Sequence, residues 1–127
     1  MNYLVDTNIF LEVLLNQEKK EKCKKFLEEH ADKIYISDFT LHSIGIILFR
    51  YSKADIFEKF TGDILRSAGL ISLPVTSYHK TAEIKRQFSF DFDDSYQLCV
   101  AKNYELAIAT MDKDFEIVKE KDRVKFI

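Results

Sequence analysis

The segment LVDTNIFLEVLL, Leu4–Leu15, decides the fold. A short apolar run from Tyr3 ends on Asp6, and a helical apolar pattern restarts from about Asn8 to Leu15. This reads as a buried strand feeding a helix. The unit then recurs along the chain. Strands are expected at Tyr3–Asp6, Ile34–Ser37, Ile71–Leu73, Leu106–Thr110 and Val124–Ile127. Helices are expected at Asn8–Leu15, Glu18–His30, Thr40–Tyr51, Ala54–Ser67, Thr76–Gln87 and Asp94–Tyr104, with a short one at Lys113–Val118. Gly69 stands where a helix C-terminal cap belongs, and Pro74 stops the third strand. Ile56, Phe57, Phe60, Ile64 and Leu65 share one helix face, whereas Thr40–Tyr51 is apolar almost all round and needs either the core or a partner to cover it. Short strands alternating with helices imply an α/β fold, its parallel sheet covered on both faces.

At 127 residues the chain is expected to form a single domain, residues 1–127, with a core of its own. Hydrophobic residues make up 46% and charged residues 31%, an ordinary globular balance. The formal net charge of −2 gives no global basic field, so nucleic-acid binding would need a local patch. Cys23 and Cys99 lack metal-ligand spacing and read as buried free thiols of a reducing compartment. Asp6 and Glu12 interrupt the first apolar stretch, so no secretory leader is expected there. The run Ile44–Phe49 is too short to span a bilayer. The expected setting is cytoplasmic, with no membrane contact.

In an open parallel sheet, ligands bind beyond the carboxyl ends of the strands. Asp6 ends the first strand, Asp38 follows the second, and Asp112 stands just past the fourth in AIATMDKDF. Asp94, in FDFDDSYQL, opens a helix leading into that fourth strand. Four carboxylates are therefore expected at one edge. Two carboxylates about 4 Å apart repel by roughly 4 kcal/mol at an effective dielectric near 20. Convergence needs protons or a cation, and oxygen-only ligands favour Mg²⁺ or Mn²⁺. Phosphodiester hydrolysis with a cation-activated water is the chemistry such a site serves best. Capping competes with this reading. Asp94 with Gln97 fits a capping box, Asp112 can cap the helix after it, and Asn8 or Thr7 can cap the first helix and leave Asp6 free.

The stretches LVDTNIFLEVLL, FDDSYQLCVAK and IATMDKDF resemble the three acidic motifs of PIN domains, in order and over essentially the whole chain. The resemblance implies a three-layer α/β/α nuclease fold with a central, mostly parallel sheet of about five short strands. It implies that Asp6, Asp94 and Asp112 are metal-binding catalytic acids using Mg²⁺ or Mn²⁺. Asp93 and Asp114 would be auxiliaries, and Asn8 and Thr110 would orient the acids. Many small PIN domains are VapC-like ribonuclease toxins, so the implied partners are an RNA substrate, a cognate antitoxin protein and a second copy in a homodimer, with Phe49 or Tyr51 of the apolar helix as anchors.

One departure stands out. Where PIN domains carry T-L-x-E, this chain reads T-L-H-S, placing Ser43 in the glutamate's slot. Asp38 lies five residues earlier, about 140° around an ideal helix, so it could reach the site only from the strand end. His42 reads as a rim or packing residue, and His30 and His79 as surface or packing residues. Lys80, Lys85, Arg86 and Lys113 are the cations near the motifs, and KKEKCKK reads as a solvated helix face. Phe88, Phe90 and Phe92 alternate before Asp93, either as a loop packed on the core or as a base-stacking loop. Two functions remain: a metal-dependent endoribonuclease toxin, or a catalytically weakened PIN-like module that binds RNA or protein without cutting.

Overall fold

Successive strand residues point to opposite faces of a sheet, and Leu4 and Val5, both fully buried, accordingly enter two different cores. In the computed structural model, which describes residues 1–127 apart from the Leu65 side chain, five parallel strands lie in the order β3-β2-β1-β4-β5. They are β1 (Tyr3–Val5), β2 (Ile34–Ser37), β3 (Gly69–Ile71), β4 (Ala107–Thr110) and β5 (Val124–Phe126). The helices are α1 (Thr7–Leu14), α2 (Lys20–Glu29), α3 (Asp38–Arg50), α4 (Ala54–Ser67), α5 (His79–Phe88) and α6 (Phe92–Asn103). Val5, Ile34, Ile36 and Ala109 pack under α1–α4, while Leu4 and Ile108 pack with α5 and α6. This is the three-layer α/β/α arrangement.

Two boundaries move for physical reasons. Gly69 is not a helix cap but the first residue of β3, paired with Tyr35 in the parallel ladder. A Cβ there would meet the Tyr35 ring at 2.6 Å, so the glycine makes room for its neighbour's aromatic face. The segment after β4 forms a 3-10 turn over Lys113–Ile117 rather than an α-helix. Helix α3 buries Thr40, Ile44 and Leu48 but leaves Ile46, Phe49 and its C-cap residue Tyr51 more than half exposed. On α4, Ile56, Phe57, Phe60 and Ile64 join the core, while the Leu65 side chain expected beside them lies outside the described residues. Cys23 and Cys99 are buried free thiols. Among the described residues no helix is long and apolar enough to cross a membrane.

The strand order fixes where a site forms. The chain winds from β1 outward through β2 and β3, then crosses back to place β4 on the other side of β1. The crevice beyond the carboxyl ends of β1 and β4 is thus the topological switch point, the expected ligand position in an open α/β sheet.

Candidate metal centre

Asp6 and Asp112 enter that crevice because their strands pair in register, with Val5 opposite Ala109 and the Asp6 amide donating to the Ala109 carbonyl at 2.9 Å. Thr110, fully buried, joins the two acids. Its Oγ1 donates to Asp6 Oδ2 at 2.7 Å and accepts from the Asp112 amide at 2.9 Å. Asp6 Oδ1 accepts from the Thr7 amide at 2.9 Å, so Asp6 itself, and not Asn8 or Thr7, caps α1. Asp112 Oδ1 accepts from the Asp114 amide at 2.8 Å and starts the 3-10 turn, which brings Asp114 back toward the crevice. Asp94 does not cap α6. That helix begins two residues earlier, at Phe92, which carries Asp94 into its first turn, where its carboxylate accepts no hydrogen bond among the described residues.

The acids meet in two overlapping sets. Carboxylate oxygens of Asp94, Asp112 and Asp114 lie within 4.8 Å of one another. Asp6, Asp93, Asp94 and Asp112 line one cavity of about 230 Å³, with Thr7, Asn8, Phe39, Ser43 and Gln97 among its other walls. Asp114 therefore joins the tightest trio in place of Asp6, both of whose oxygens are already engaged. Burial, then Asp93, Asp112, Asp6 and Asp114 in turn, push the Asp94 carboxyl from 3.8 up to about 7. Burial also raises Asp6, against the pull of Thr110 and Thr7, and Asp112 and Asp93 add to the rise.

Asp38 stays out of this set. Ser37 caps α3, its Oγ accepting from the Thr40 amide at 3.1 Å, so Asp38 falls inside the helix. There its Oδ1 accepts from the Tyr96 hydroxyl and from the Phe39 amide at 2.9 Å. The Tyr96 bond is 2.6 Å long. Ser43 does line the acid cavity. His42 faces the other way, onto an exposed apolar hollow with Leu41, Gly45, Ile46, Phe49 and Phe57. Lys80 lines a separate cavity between α5 and α6 beside Cys99 and Lys102, which removes it from the acid site. Lys113 is exposed and follows Asp112 directly.

Sequence reasoning missed a polar floor beneath the acids. Gln97, 2% exposed, accepts from Ser37 Oγ at 2.7 Å and donates to Thr40 Oγ1 at 3.0 Å. Thr7 Oγ1 bonds the same Thr40 hydroxyl at 3.1 Å. This chain ties β2, α1, α3 and α6 together at the crevice, and a satisfied buried network of this kind holds one arrangement firmly. Its signal was the spacing of Gln97, three residues after Asp94 and on the same helix face.

The donor set suits a hard divalent cation. All its atoms are carboxylate oxygens, they converge, and among the described residues no Lys, Arg or His forms an ion pair with them.

A family model described as "PIN domain" matches residues 3–121. A search of curated proteins finds no match. Among solved structures, a chain of a toxin-antitoxin complex from Klebsiella pneumoniae aligns over 98% of this chain and 96% of its own, at 19% identity and a TM-score of 0.78. A chain of VapBC2 from Rickettsia felis, solved with a DNA fragment from its promoter, aligns over 99% and 98% at 15% identity and a TM-score of 0.80. A chain of FitAcB from Neisseria gonorrhoeae aligns over 88% of each at 22% identity and a TM-score of 0.69. These likenesses are likenesses of fold.

Proposed function

The chain belongs to the PIN domain family, and on that premise we propose that residues 1–127 form one domain, a Mg²⁺- or Mn²⁺-dependent endoribonuclease of the cytoplasm. The observation that carries the reading is the convergence of Asp94, Asp112 and Asp114 within 4.8 Å, with Asp6 in the same cavity. Asp94 and Asp112, with Asp6 and Asp114 beside them, would hold the cation. When bound, the cation would supply charge for a phosphoryl oxygen and a lowered pKa for an attacking water.

The chain's own residues prepare that site. Thr110 orients the Asp6 carboxylate and ties it to the Asp112 backbone, which keeps the two strand ends in one register. Gln97 and Thr40 fix the floor, which keeps α6 and its Asp94 at a constant height over the crevice. Burial and its acidic neighbours raise the Asp94 carboxyl to about 7, and a bound cation would favour its charged form.

A toxin of a type II toxin–antitoxin pair, restrained by a cognate antitoxin protein, is the biological role most consistent with toxin–antitoxin complexes among the structural relatives. A homodimer through α3 is part of the same reading, because Phe49, 62% exposed, lines an apolar hollow and Tyr51 at the helix C-cap is 64% exposed. Ser43 favours a second reading, a weakened module that binds without cutting, since a neutral hydroxyl lines the cavity where the family usually places an acid.

Asp6→Asn separates the readings. Under the nuclease reading it abolishes cation-dependent cleavage of single-stranded RNA while circular dichroism stays native. Full activity in that variant would sink the proposed site.

A further inference from the structure

A second cavity shares a wall with the acid cluster. It has a volume of about 250 Å³ and is lined by Phe88, Ser89, Phe90, Asp91, Asp94, Asp114 and Ile117. Asp94 and Asp114 belong to the acid trio as well, and Asp94 lines both cavities. The cavity is smaller than the roughly 300–1,000 Å³ of sites for drug-sized ligands, and it suits a single flat ring system.

Its aromatic wall is held from behind. Phe88 stacks on Phe90 with centroids 5.3 Å apart and planes 23° from parallel. Phe90, 5% exposed, meets the fully buried Phe115 edge-on at 5.4 Å. Phe88 is left partly exposed on a rigid backing, and Ile117, half exposed on the 3-10 turn, lines the same space.

Its polar wall is acidic and partly unemployed. Asp91 occupies the N-cap position of α6 with extended backbone, yet its side chain makes no capping bond. Among the described residues no cation pairs with it. A carboxylate only accepts hydrogen bonds, and with Asp91 and Asp114 on its wall this cavity repels phosphate. It favours a neutral planar group rich in donors. Guanine is the base that presents two adjacent donors, N1–H and the N2 amino group, on its Watson–Crick edge. Adenine and cytosine place an acceptor nitrogen next to their amino group, and uracil flanks its one N–H with carbonyls. Unpaired RNA bases are characteristically read by stacking on aromatic rings and by hydrogen bonds to that edge.

We infer that this cavity binds an unpaired guanine flanking the scissile phosphate, stacked on Phe88 and read by Asp91. The inference rests on the nuclease reading above and adds a sequence preference to it. Two experiments keep their failures apart. The first compares cleavage of single-stranded oligoribonucleotides that differ in the nucleotide on either side of the cut, with inosine and an abasic site included. The expected result is a preference for guanine of about tenfold or more in kcat/KM, the scale of one good bidentate base contact. Inosine, lacking the amino group, loses part of it. Asp91→Asn removes the preference, and Phe88→Leu, which keeps the packing but not the π face, weakens all bases together through KM. The second experiment needs no catalysis: guanosine should shift the Ile117 methyl resonances in the wild type and not in Asp91→Asn, while adenosine, cytidine and uridine leave them in place. A guanosine-specific shift in a protein that cuts no RNA would overturn the nuclease reading and support the pocket. Cleavage that is indifferent to guanine, or a guanine preference untouched by Asp91→Asn, would overturn the inference and leave the nuclease reading standing. Equal shifts from all four nucleosides would also overturn it.

Discussion

Replacing Asp94 by asparagine should stabilise the cation-free protein near neutral pH and destroy its response to cations. Burial and four neighbouring aspartates raise this carboxyl from 3.8 to about 7. A group that holds its proton more tightly when folded adds stability below its unfolded value, and this is lost as pH rises through its folded value. For Asp94 the loss therefore runs from about pH 4 to about pH 7, and above that the folded protein carries the full cost of the charged form. Taken at face value, a rise of this size corresponds to about 4 kcal/mol. Asp94 is partly open to solvent, and screening reduces this to about 1–2 kcal/mol. Asparagine keeps the shape without the charge. Thermal unfolding without divalent ions at about pH 7.5 should then show Asp94→Asn melting about 3–8 °C above the wild type, with the gap closing towards about pH 4. Millimolar Mn²⁺ should raise the wild-type melting temperature by binding the native state alone, and should leave the variant unmoved. A variant less stable than wild type at neutral pH, or one that Mn²⁺ still stabilises fully, would refute the electrostatic account of the cluster.

Other consequences follow from the same geometry. Ser43→Glu places a carboxylate in the acid cavity and should tighten Mn²⁺ binding in calorimetry by about tenfold, since charge count helps set affinity for hard cations. Asp38→Asn, which touches only the Tyr96 and Phe39 contacts, should leave that affinity unchanged, and a large loss there would reverse the assignment. Thr110→Val keeps the side chain's shape but strands the Asp112 amide, and denaturant titration should record a loss of about 1–3 kcal/mol along with reduced cleavage. Phe49→Glu should convert a dimer to a monomer in sedimentation at roughly tens of micromolar, and a wild type that is already monomeric there would remove the α3 interface.

The layers were legible because buried parallel strands read as unbroken apolar runs, and each of the five lies within a residue or two of its expected place. The third is the instructive shift. Gly69 looks like a cap only locally, because the reason for it is the Tyr35 ring on a strand far back in the chain. The site was legible at Asp6 and Asp112, whose strand ends fix their positions. It was less legible where a helix start decides the outcome. A two-residue difference in where α3 begins, Asp38 instead of Thr40, turns Asp38 onto Tyr96, and an earlier start to α6 frees Asp94 from capping duty. Gln97 and Asp114 were undervalued because each gains its role from partners brought in by the fold.

The central claim is that these acids hold a divalent cation that the chain uses to cut RNA. It is tested most directly by incubating the purified chain with single-stranded RNA while titrating Mn²⁺ from zero, alongside Asp112→Asn. The account predicts no cleavage without the cation, internal cuts that rise and saturate with Mn²⁺ and vanish on chelation, and none from the variant. Cation-independent cleavage, undiminished activity in Asp112→Asn, or saturating Mn²⁺ binding with no cleavage of any single-stranded RNA would contradict it.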